Sequence, residues 1–406
     1  MKKILNKWKE KVKYFDWMLF IPYIVLCCVG IVMVYSASSI NLSYVGENTA
    51  SYMIKQLLYV VLGIVLLFFF SHISTKVWTN KILLLSGAVI IGFLLFIAKY
   101  FTNSINGANG WIQLGAFSLQ PSEFCKLFLV LFCSYVFANW YHRRQQDLKI
   151  TNKFQPYFVI GLLLFLVLFE PDTGGFMINF AIVLIIYLTS RIPEDGWLYR
   201  KKGIRLSNTT VLLLWIATFI ILLQVPRLPF IQKMGDKFYQ IARFTAFYAP
   251  FKHAQSTGRQ LVNSYYAISN GGLFGLGLGN SIEKRGYLPE PYTDFILSVT
   301  TEELGVILTT CILLLLLFIM LRIFLIGVRA NNLYDRLVCY GVGTFMFVES
   351  LFNIGAVIGL LPITGVTLPF ISYGGSSMFV LSMALGLVMG ISANQKRHLE
   401  KSPLDD

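Results

Sequence analysis

ILSVTTEELGVILTTCILLLLLFIML, residues 296–321, decides the fold class. Only Glu302 and Glu303 interrupt its apolar run. A hydrocarbon core of about 30 Å needs about 20 such residues as a helix, so the stretch reads as a membrane span. Runs of the same kind recur at 16–38, 53–72, 82–100, 122–141, 156–170, 174–190, 209–226, 338–360 and 377–393. Ten spans put both termini on one side. The fifth and sixth are short, and Glu170-Pro171-Asp172-Thr173-Gly174-Gly175 divides them, because the Pro and the Gly pair break a helix.

Composition agrees with that reading. Of 406 residues, 56% are hydrophobic and only 13% charged, against roughly 25% in soluble domains. This excludes a soluble enzyme, a disordered chain and a collagen-like fibre. The net charge of +14 calls for an explanation, and no long aqueous domain is visible that could carry it to a nucleic acid. Counting by side supplies one. The tail before residue 16, the loop near Lys76 and Lys81, the segments 142–155, 191–208 and 322–337, and the C-terminal tail hold 23 of the 34 Lys and Arg. All fall on one side, which is therefore cytoplasmic. The opposite loops 39–52, 101–121, 171–173 and 361–376 hold none, while the long segment 227–295 holds eight, and a loop of that length translocates regardless of charge. The expected fold is an all-α polytopic membrane protein of about ten transmembrane helices. Both termini are cytoplasmic, and a long extracellular loop joins helices seven and eight. It forms one domain over 1–406, with tails at 1–15 and 394–406 and the outer loop at 227–295. The Lys-rich N-terminus precedes a span too long for a signal peptide core, so that span reads as a retained anchor.

The six Cys all lie within spans and the four His are scattered, which disfavours zinc or haem. The acidic residues of the outer side or outer helix ends are the unusual group: Glu47, Glu123, Glu170, Asp172, Asp236, Glu283, Glu290, Asp294, Glu302, Glu303 and Glu349. Ionisable residues near membrane depth are functional candidates. Gathered at one leaflet, they suit chemistry on a lipid headgroup better than an ion path. In the outer segment the aromatics of Phe238–Tyr248 recur at helical spacing, as in an interfacial helix. The glycines of 270–279 read either as a tight turn or as a loop that approaches a ligand closely. Next come Lys284 and Arg285, which suit phosphate, and Glu290 and Asp294, which suit proton transfer. Asp294 also suits a helix N-cap, and residue type alone does not separate the two roles. Ser122 or Glu123 suits the cap of span four. Glu123 and Lys126, three apart, suit an ion pair or substrate binding. Asp172 suits a cap of span six, and 372–377 a loop entering span ten at an anion-attracting helix N-terminus.

Together these residues resemble the SEDS family (shape, elongation, division and sporulation), over nearly the whole chain. The blocks that carry the resemblance are Asn106-Gly-Ala108 with Trp111, Gln120-Pro-Ser-Glu123, Pro171-Asp172 with Gly174, and Leu288-Pro-Glu-Pro-Tyr-Thr-Asp-Phe295. Thr301-Glu-Glu-Leu-Gly305, Asn353-Ile-Gly355 and the long block from Gly359 to Ser377 complete them. The stretch 260–272 and the Pro-Tyr before Thr293 resemble the FtsW branch of Gram-positive bacteria. The resemblance implies a peptidoglycan glycosyltransferase that joins lipid II into β-1,4 glycan strands at the outer face of the bacterial cytoplasmic membrane, at the division septum. Asp294 takes the position of the family's proposed general base. The substrate-binding set becomes Trp111, Gln120, Glu123, Lys126, Asp172, Arg243, Gln260, Lys284, Arg285, Glu290, Thr293, Asn353 and Ser372. A divalent cation, Mg²⁺ or Mn²⁺, is a further expected source of charge for the leaving diphosphate, and no organic cofactor is expected. The implied partners are a class B penicillin-binding transpeptidase and divisome proteins. The chain departs from the family pattern at Gly110, where Arg is frequent, at Leu276, where a basic residue is usual, and at Glu349, where Gln is common. Two rival functions share these features: a lipid II flippase and a non-enzymatic divisome scaffold.

Overall fold

The computed structural model describes residues 13–102, 110–115, 117–148, 154–190, 208–224, 247–256 and 258–401. Among them the order is α1 (Trp17–Val45), α2 (Ser51–His72), the single turn α3 (Thr75–Trp78) and α4 (Lys81–Phe101). The strands β1 (Ile112–Leu114) and β2 (Phe117–Leu119) follow, then α5 (Pro121–Gln145), α6 (Phe154–Phe169), α7 (Thr173–Thr189) and α8 (Asn208–Gln224). The chain continues through α9 (Arg259–Gly271), α10 (Ile296–Val328), α11 (Leu333–Val357) and α12 (Gly375–Lys401). Seven of these described helices are long and apolar enough to cross a membrane. The other three expected spans coincide with α6, α7 and α8, of 16 to 17 residues, about 25 Å each at 1.5 Å per residue. The protein is an all-α polytopic membrane protein, with one antiparallel hairpin among the described residues, in which Ile112 pairs with Leu119 and Leu114 with Phe117.

Burial sorts the helices. In α5, α11 and α12, 78%, 72% and 89% of the apolar window is buried inside the protein, against 17% in α4. The three inner helices carry Lys126, Glu349, Asn353 and Ser382 on buried positions, because polar side chains are tolerated only against other protein. α12 lies against α2 at small residues. A Cβ on Gly386 would strike the Leu67 carbonyl oxygen, and one on Gly63 would lie 2.7 Å from Ser382 Oγ. Small residues let helix backbones approach and gain dispersion contacts where no hydrophobic driving force separates helix from lipid. At the cytoplasmic end the buried Asp16 accepts hydrogen bonds from Ser392 at 2.7 Å and Arg322 at 3.1 Å, tying α1 to α12 and α10.

The stretch that set the fold class is not one helix. At Gly305 the backbone turns to φ 79° and ψ 167°, which breaks α10. The glycine loop after α9 is spliced into the break. Leu276 and Gly277 amides donate to the Glu302 and Glu303 carbonyls at 2.9 and 3.0 Å, and the Val306 and Ile307 amides donate to Gly272 and Leu273 at 3.0 and 3.3 Å. Backbone groups freed by a broken helix cost several kcal/mol each in an apolar setting, and this loop pairs all four. The density of glycine in 270–279 follows from that packing, since a Cβ on Gly275 would overlap the Glu303 carbonyl. Gly305→Ala is expected to destabilise the protein by about 1–3 kcal/mol, because alanine resists the positive φ and its methyl meets the loop backbone. Thermal unfolding in detergent checks this.

Helix ends differ from expectation where polar turns continue a helix. α11 starts at Leu333, not 338, because Asn332 caps it by accepting from the Asp335 amide at 2.7 Å. α12 runs past 393 to Lys401 through a polar turn on the cytoplasmic side. α5 begins at Pro121 with Gln120 at the cap position and no side-chain cap bond, so neither Ser122 nor Glu123 caps it. In the outer loop, Phe238–Tyr248 lies outside the described residues up to residue 246, as does Arg243. The amphipathic helix that is described there is α9, whose Leu261, Val262, Ser264 and Ala267 are buried at helical spacing.

Candidate functional site

The site assembles at the outer end of the bundle, around the four residues that lead into α10. Pro291-Tyr-Thr-Asp294 is held by its own backbone. Three successive carbonyls are clamped: Tyr292 by the Tyr373 amide at 2.9 Å, Thr293 by Ser372 Oγ at 2.8 Å, and Asp294 by Asn353 Nδ2 at 2.8 Å. The clamp residues are themselves fixed. Asn353 also donates to Val366 O at 2.8 Å, Ser372 Oγ accepts from the Leu368 amide at 2.8 Å, and Gln56 Nε2 donates to Ser372 O at 3.2 Å. Asp294 is partly exposed. The cap position of α10 belongs to Phe295, and no side chain caps it, so the helix-cap role does not account for Asp294. Its Oδ2 lies 3.5 Å from the place a Cβ would take on Gly365. Asn353→Ala leaves the Asp294 and Val366 carbonyls without their donor, at a cost of about 1–3 kcal/mol. A larger fall in turnover than in substrate affinity is expected, which kcat and KM measured separately would show.

Around this strip the aromatic rings of Tyr52, Tyr292 and Tyr373 cluster, with Tyr52 4.8 Å from Tyr292 and 4.9 Å from Tyr373. Lys55 Nζ stands 5.6 Å from the Tyr52 ring centre. Sequence reading passed over both, since Tyr52 falls at the edge of the outer loop 39–52 and Lys55 in the first turn of the apolar run 53–72. Their signal was only the amphipathic break of Tyr52 and Lys55-Gln56 at the outer end of α2.

The other expected residues fall into two groups. The first supports the frame. Asp172 caps α7 by accepting from the Gly175 amide at 2.7 Å, and also receives Ser122 Oγ at 2.8 Å and Gln120 Nε2 at 3.4 Å. The Gln120 amide donates to Ser376 Oγ at 2.9 Å, which in turn donates to Ser118 O at 3.2 Å, so the β-hairpin is pinned to the start of α12. Lys126 is buried between two carboxylates, Glu123 at 2.7 Å and Glu349 at 3.2 Å. Lys284, expected to face phosphate, points inward instead: it pairs with Glu303 at 2.6 Å and donates to Ser36 Oγ at 2.9 Å, with 1% of its side chain exposed. Glu302 beside it accepts from Ser281 Oγ at 2.5 Å and from the Ile282 and Glu283 amides at 3.1 and 3.3 Å, holding the turn that carries Lys284. Burial and the adjacent Glu302 push the Glu283 carboxyl above the usual carboxylate range.

The second group faces outward. Arg285 is exposed, Gln260 is half-buried on the first turn of α9, and Thr293 Oγ1 donates to the Glu290 carboxylate at 3.3 Å. Glu290 holds a left-handed backbone at φ 52°, a strained turn that presents the Pro-Tyr-Thr-Asp strip. Trp111 is half-buried at the start of β1, beside Gly110. A Cβ on Gly110 would lie 3.6 Å from Glu170 Oε2, and both oxygens of that buried carboxyl have no hydrogen-bond partner among the described residues. An Arg at position 110 would reach that acid, so the departure at Gly110 leaves Glu170 without that counter-charge. Among the described residues no three His, Cys, Asp or Glu side chains converge as metal ligands.

Comparison with known proteins places this architecture. Residues 16–397 match the FtsW/RodA/SpoVE family of cell cycle proteins. The chain is 36% identical over 402 residues to the "Probable peptidoglycan glycosyltransferase FtsW" of Enterococcus hirae, covering 97% of this chain and 96% of that one. It is 35% identical over 393 residues to the protein of the same name in Bacillus subtilis, covering 95% and 92%. The fold is similar to that of the rod shape determining protein RodA of Thermus thermophilus, with TM-score 0.63 and 23% identity over 94% of this chain and 97% of that one. A solved peptidoglycan synthase complex contains a chain of like fold, with TM-score 0.67 and 23% identity over 94% of this chain and 98% of that one. With this length of match and these identities, the chain belongs to the FtsW/RodA/SpoVE family of cell cycle proteins.

Proposed function

We propose that this protein is a peptidoglycan glycosyltransferase that polymerises lipid II at the outer face of the cytoplasmic membrane, in keeping with the glycosyltransferase activity that the names of its relatives state for them. The observation that carries the reading is the clamp on three successive carbonyls at Tyr292, Thr293 and Asp294, which fixes a partly exposed carboxylate at the outer end of an apolar bundle. A general base must be held within hydrogen-bond reach of the proton it removes, and a backbone so constrained meets that need.

The reaction uses one base. The 4-hydroxyl of the acceptor GlcNAc attacks C1 of the donor sugar, and the bond from C1 to the diphosphate oxygen breaks on the opposite face. Configuration inverts from α to β. The hydroxyl proton ends on Asp294, and the polyprenyl diphosphate leaves with the bonding electron pair. Its charge needs cations. Arg285, exposed on the loop, and Lys55, beside the tyrosine cluster, are suited to that task, whereas the buried Lys284 is suited to holding the loop. Fixed positive charge aimed at a developing anion stabilises the transition state. Asn353, Ser372, Gln120 and Asp172 serve the reaction by positioning. Thr293 is part of the strip, Glu290 leads into it, Gln260 stands on the first turn of α9 and Trp111 at the start of β1, and these four side chains are suited to direct contact with sugar. The proposed partner is a class B penicillin-binding transpeptidase, with divisome proteins, and the proposed location is the septum.

Lipid II supplied to purified protein in one-sided proteoliposomes tests the assignment. Glycan polymer is the expected product, formed without any need for lipid to cross the bilayer. Lipid movement with no polymer, in the presence of the transpeptidase, would instead establish a flippase.

A further inference from the structure

The glycine loop that fills the break in α10 carries an apolar surface of its own. Residues 271–282 include no charged side chain. Leu273, Phe274 and Leu278 are exposed to 61%, 82% and 59%, with Leu276 and Ile282 exposed beside them. The polar side chains of the stretch turn to their own chain: Asn280 donates to Leu276 O at 3.0 Å, and Ser281 Oγ donates to Glu302. The splice fixes where this surface stands, since backbone hydrogen bonds join residues 272–277 to residues 302–307 of α10. Arg322 is the first charged residue after Glu303, and it pairs with Asp16 at the cytoplasmic end. About 20 residues of helix cross the hydrocarbon core, so counting back from Arg322 puts its outer edge near Glu302. At 1.5 Å per residue, the loop stands beside the outermost ~8 Å of that core.

From this arrangement we propose that residues 273–282 form a membrane hook, in which Leu273, Phe274 and Leu278 contact the acyl chains of the outer leaflet. Val306, Ile307 and Leu308, at the break and just inside it, are exposed as well, so the loop surface continues the lipid-facing surface of α10. Water would leave three large apolar side chains solvated, which the hydrophobic effect opposes. A protein partner would meet a patch whose Asn280 and Ser281 are already engaged, without the polar rim that such interfaces carry. Hydrocarbon asks for no hydrogen bonds. The loop tolerates it because the Gly275, Leu276 and Gly277 amides all donate within the protein. The first exposed charge after the hook is Arg285, and exposed Tyr287 follows, a residue type that gathers at headgroup level. The hook would fasten to the bilayer the loop that leads to Asp294, and it does not depend on the glycosyltransferase reading.

Spin labels on the full chain in phosphatidylcholine liposomes test the proposal. Cys28 and Cys311, the exposed cysteines among the described residues, are first replaced by Ala. A nitroxide is then attached at Phe274→Cys or Leu278→Cys, with Leu308→Cys as the lipid-facing reference and Glu47→Cys, exposed in an outer loop, as the aqueous one. Labels at 274 and 278 are expected to collide with oxygen more than with a water-soluble nickel chelate, as at 308, and at a depth of about 5–10 Å. The order is expected to reverse at 47. The aqueous pattern at 274 and 278 overturns the hook, and so does protection from both reagents, which assigns the surface to a protein contact. Should these variants fail to fold, the wild-type chain still decides. Phosphatidylcholine with a diazirine near the carboxyl end of an acyl chain, photolysed in the same liposomes, should leave adducts on residues 273–282, within the tryptic peptide 260–284. Adducts confined to the peptide 286–322, which contains the outer part of α10, refute the lipid contact.

Discussion

Asp294→Asn is expected to lower lipid II polymerisation to background while the protein stays folded and inserted. The amide has nearly the shape of the carboxylate but cannot accept the hydroxyl proton. A positioned general base contributes about 10²–10⁴-fold to a rate, so a loss of that order is the expected result. The clamp makes the variant informative. Asn353, Ser372 and Tyr373 hold residues 292–294 through main-chain carbonyls, which the substitution leaves in place. The fold readout should therefore match wild type, with the same elution in detergent and the same unfolding temperature. Glycan polymer on a gel at wild-type rate would remove Asp294 from the base role. Loss of activity together with lost stability would mean that its side chain serves the frame.

Lys126→Met carries the second large effect, on stability. Lys126 is the shared partner of Glu123 at 2.7 Å and Glu349 at 3.2 Å, and both carboxylates lie deep in the bundle. Removing one member of a buried ion pair leaves an uncompensated charge and typically costs about 3–5 kcal/mol. Here two acids lose one cation, so the upper end of that range is expected, seen as a much lower unfolding temperature or failure to accumulate in the membrane. Glu349→Gln is the matched control. It keeps the Lys126–Glu123 pair and removes the negative charge of the second acid, whose Oε2 has no hydrogen-bond partner among the described residues. Its effect should be within about 1 kcal/mol of neutral, in either direction, since replacing a buried charge with a neutral group of the same size also removes its desolvation cost. If Lys126→Met were as stable as Glu349→Gln, the triad would not hold α5 and α11 together.

Much of the fold was legible because a span announces itself by composition alone. All ten apolar runs coincide with helices; polar turns such as Leu333–Arg336 continue some of them beyond the apolar stretch, and α10 runs on past Arg322 to Val328. The break at Gly305 was hidden for the opposite reason. Its flanks stay apolar, and only the splice with residues 272–277, from before the helix, explains the glycine. The site was legible to a degree. Asp294, Asn353 and Ser372 were named together, but their joining through three carbonyls was not, because a backbone acceptor has no sequence signature. Lys284 and Arg285 show the limit most sharply. Adjacent and both basic, they read alike, yet Lys284 is buried against Glu303 and Ser36 while its neighbour is exposed.

Membrane class and the cytoplasmic placement of both ends follow from the sequence by itself, since apolarity and charge add up residue by residue and the bilayer responds to the sum. Which acid is placed to do chemistry, which lysine meets substrate and where a helix breaks were decided by the tertiary structure. Those outcomes depend on pairs far apart in the chain: Asn353 with Asp294, Lys284 with Ser36, Lys126 with Glu349. A buried polar group has one satisfactory partner or a large penalty, and folding alone determines who that partner is.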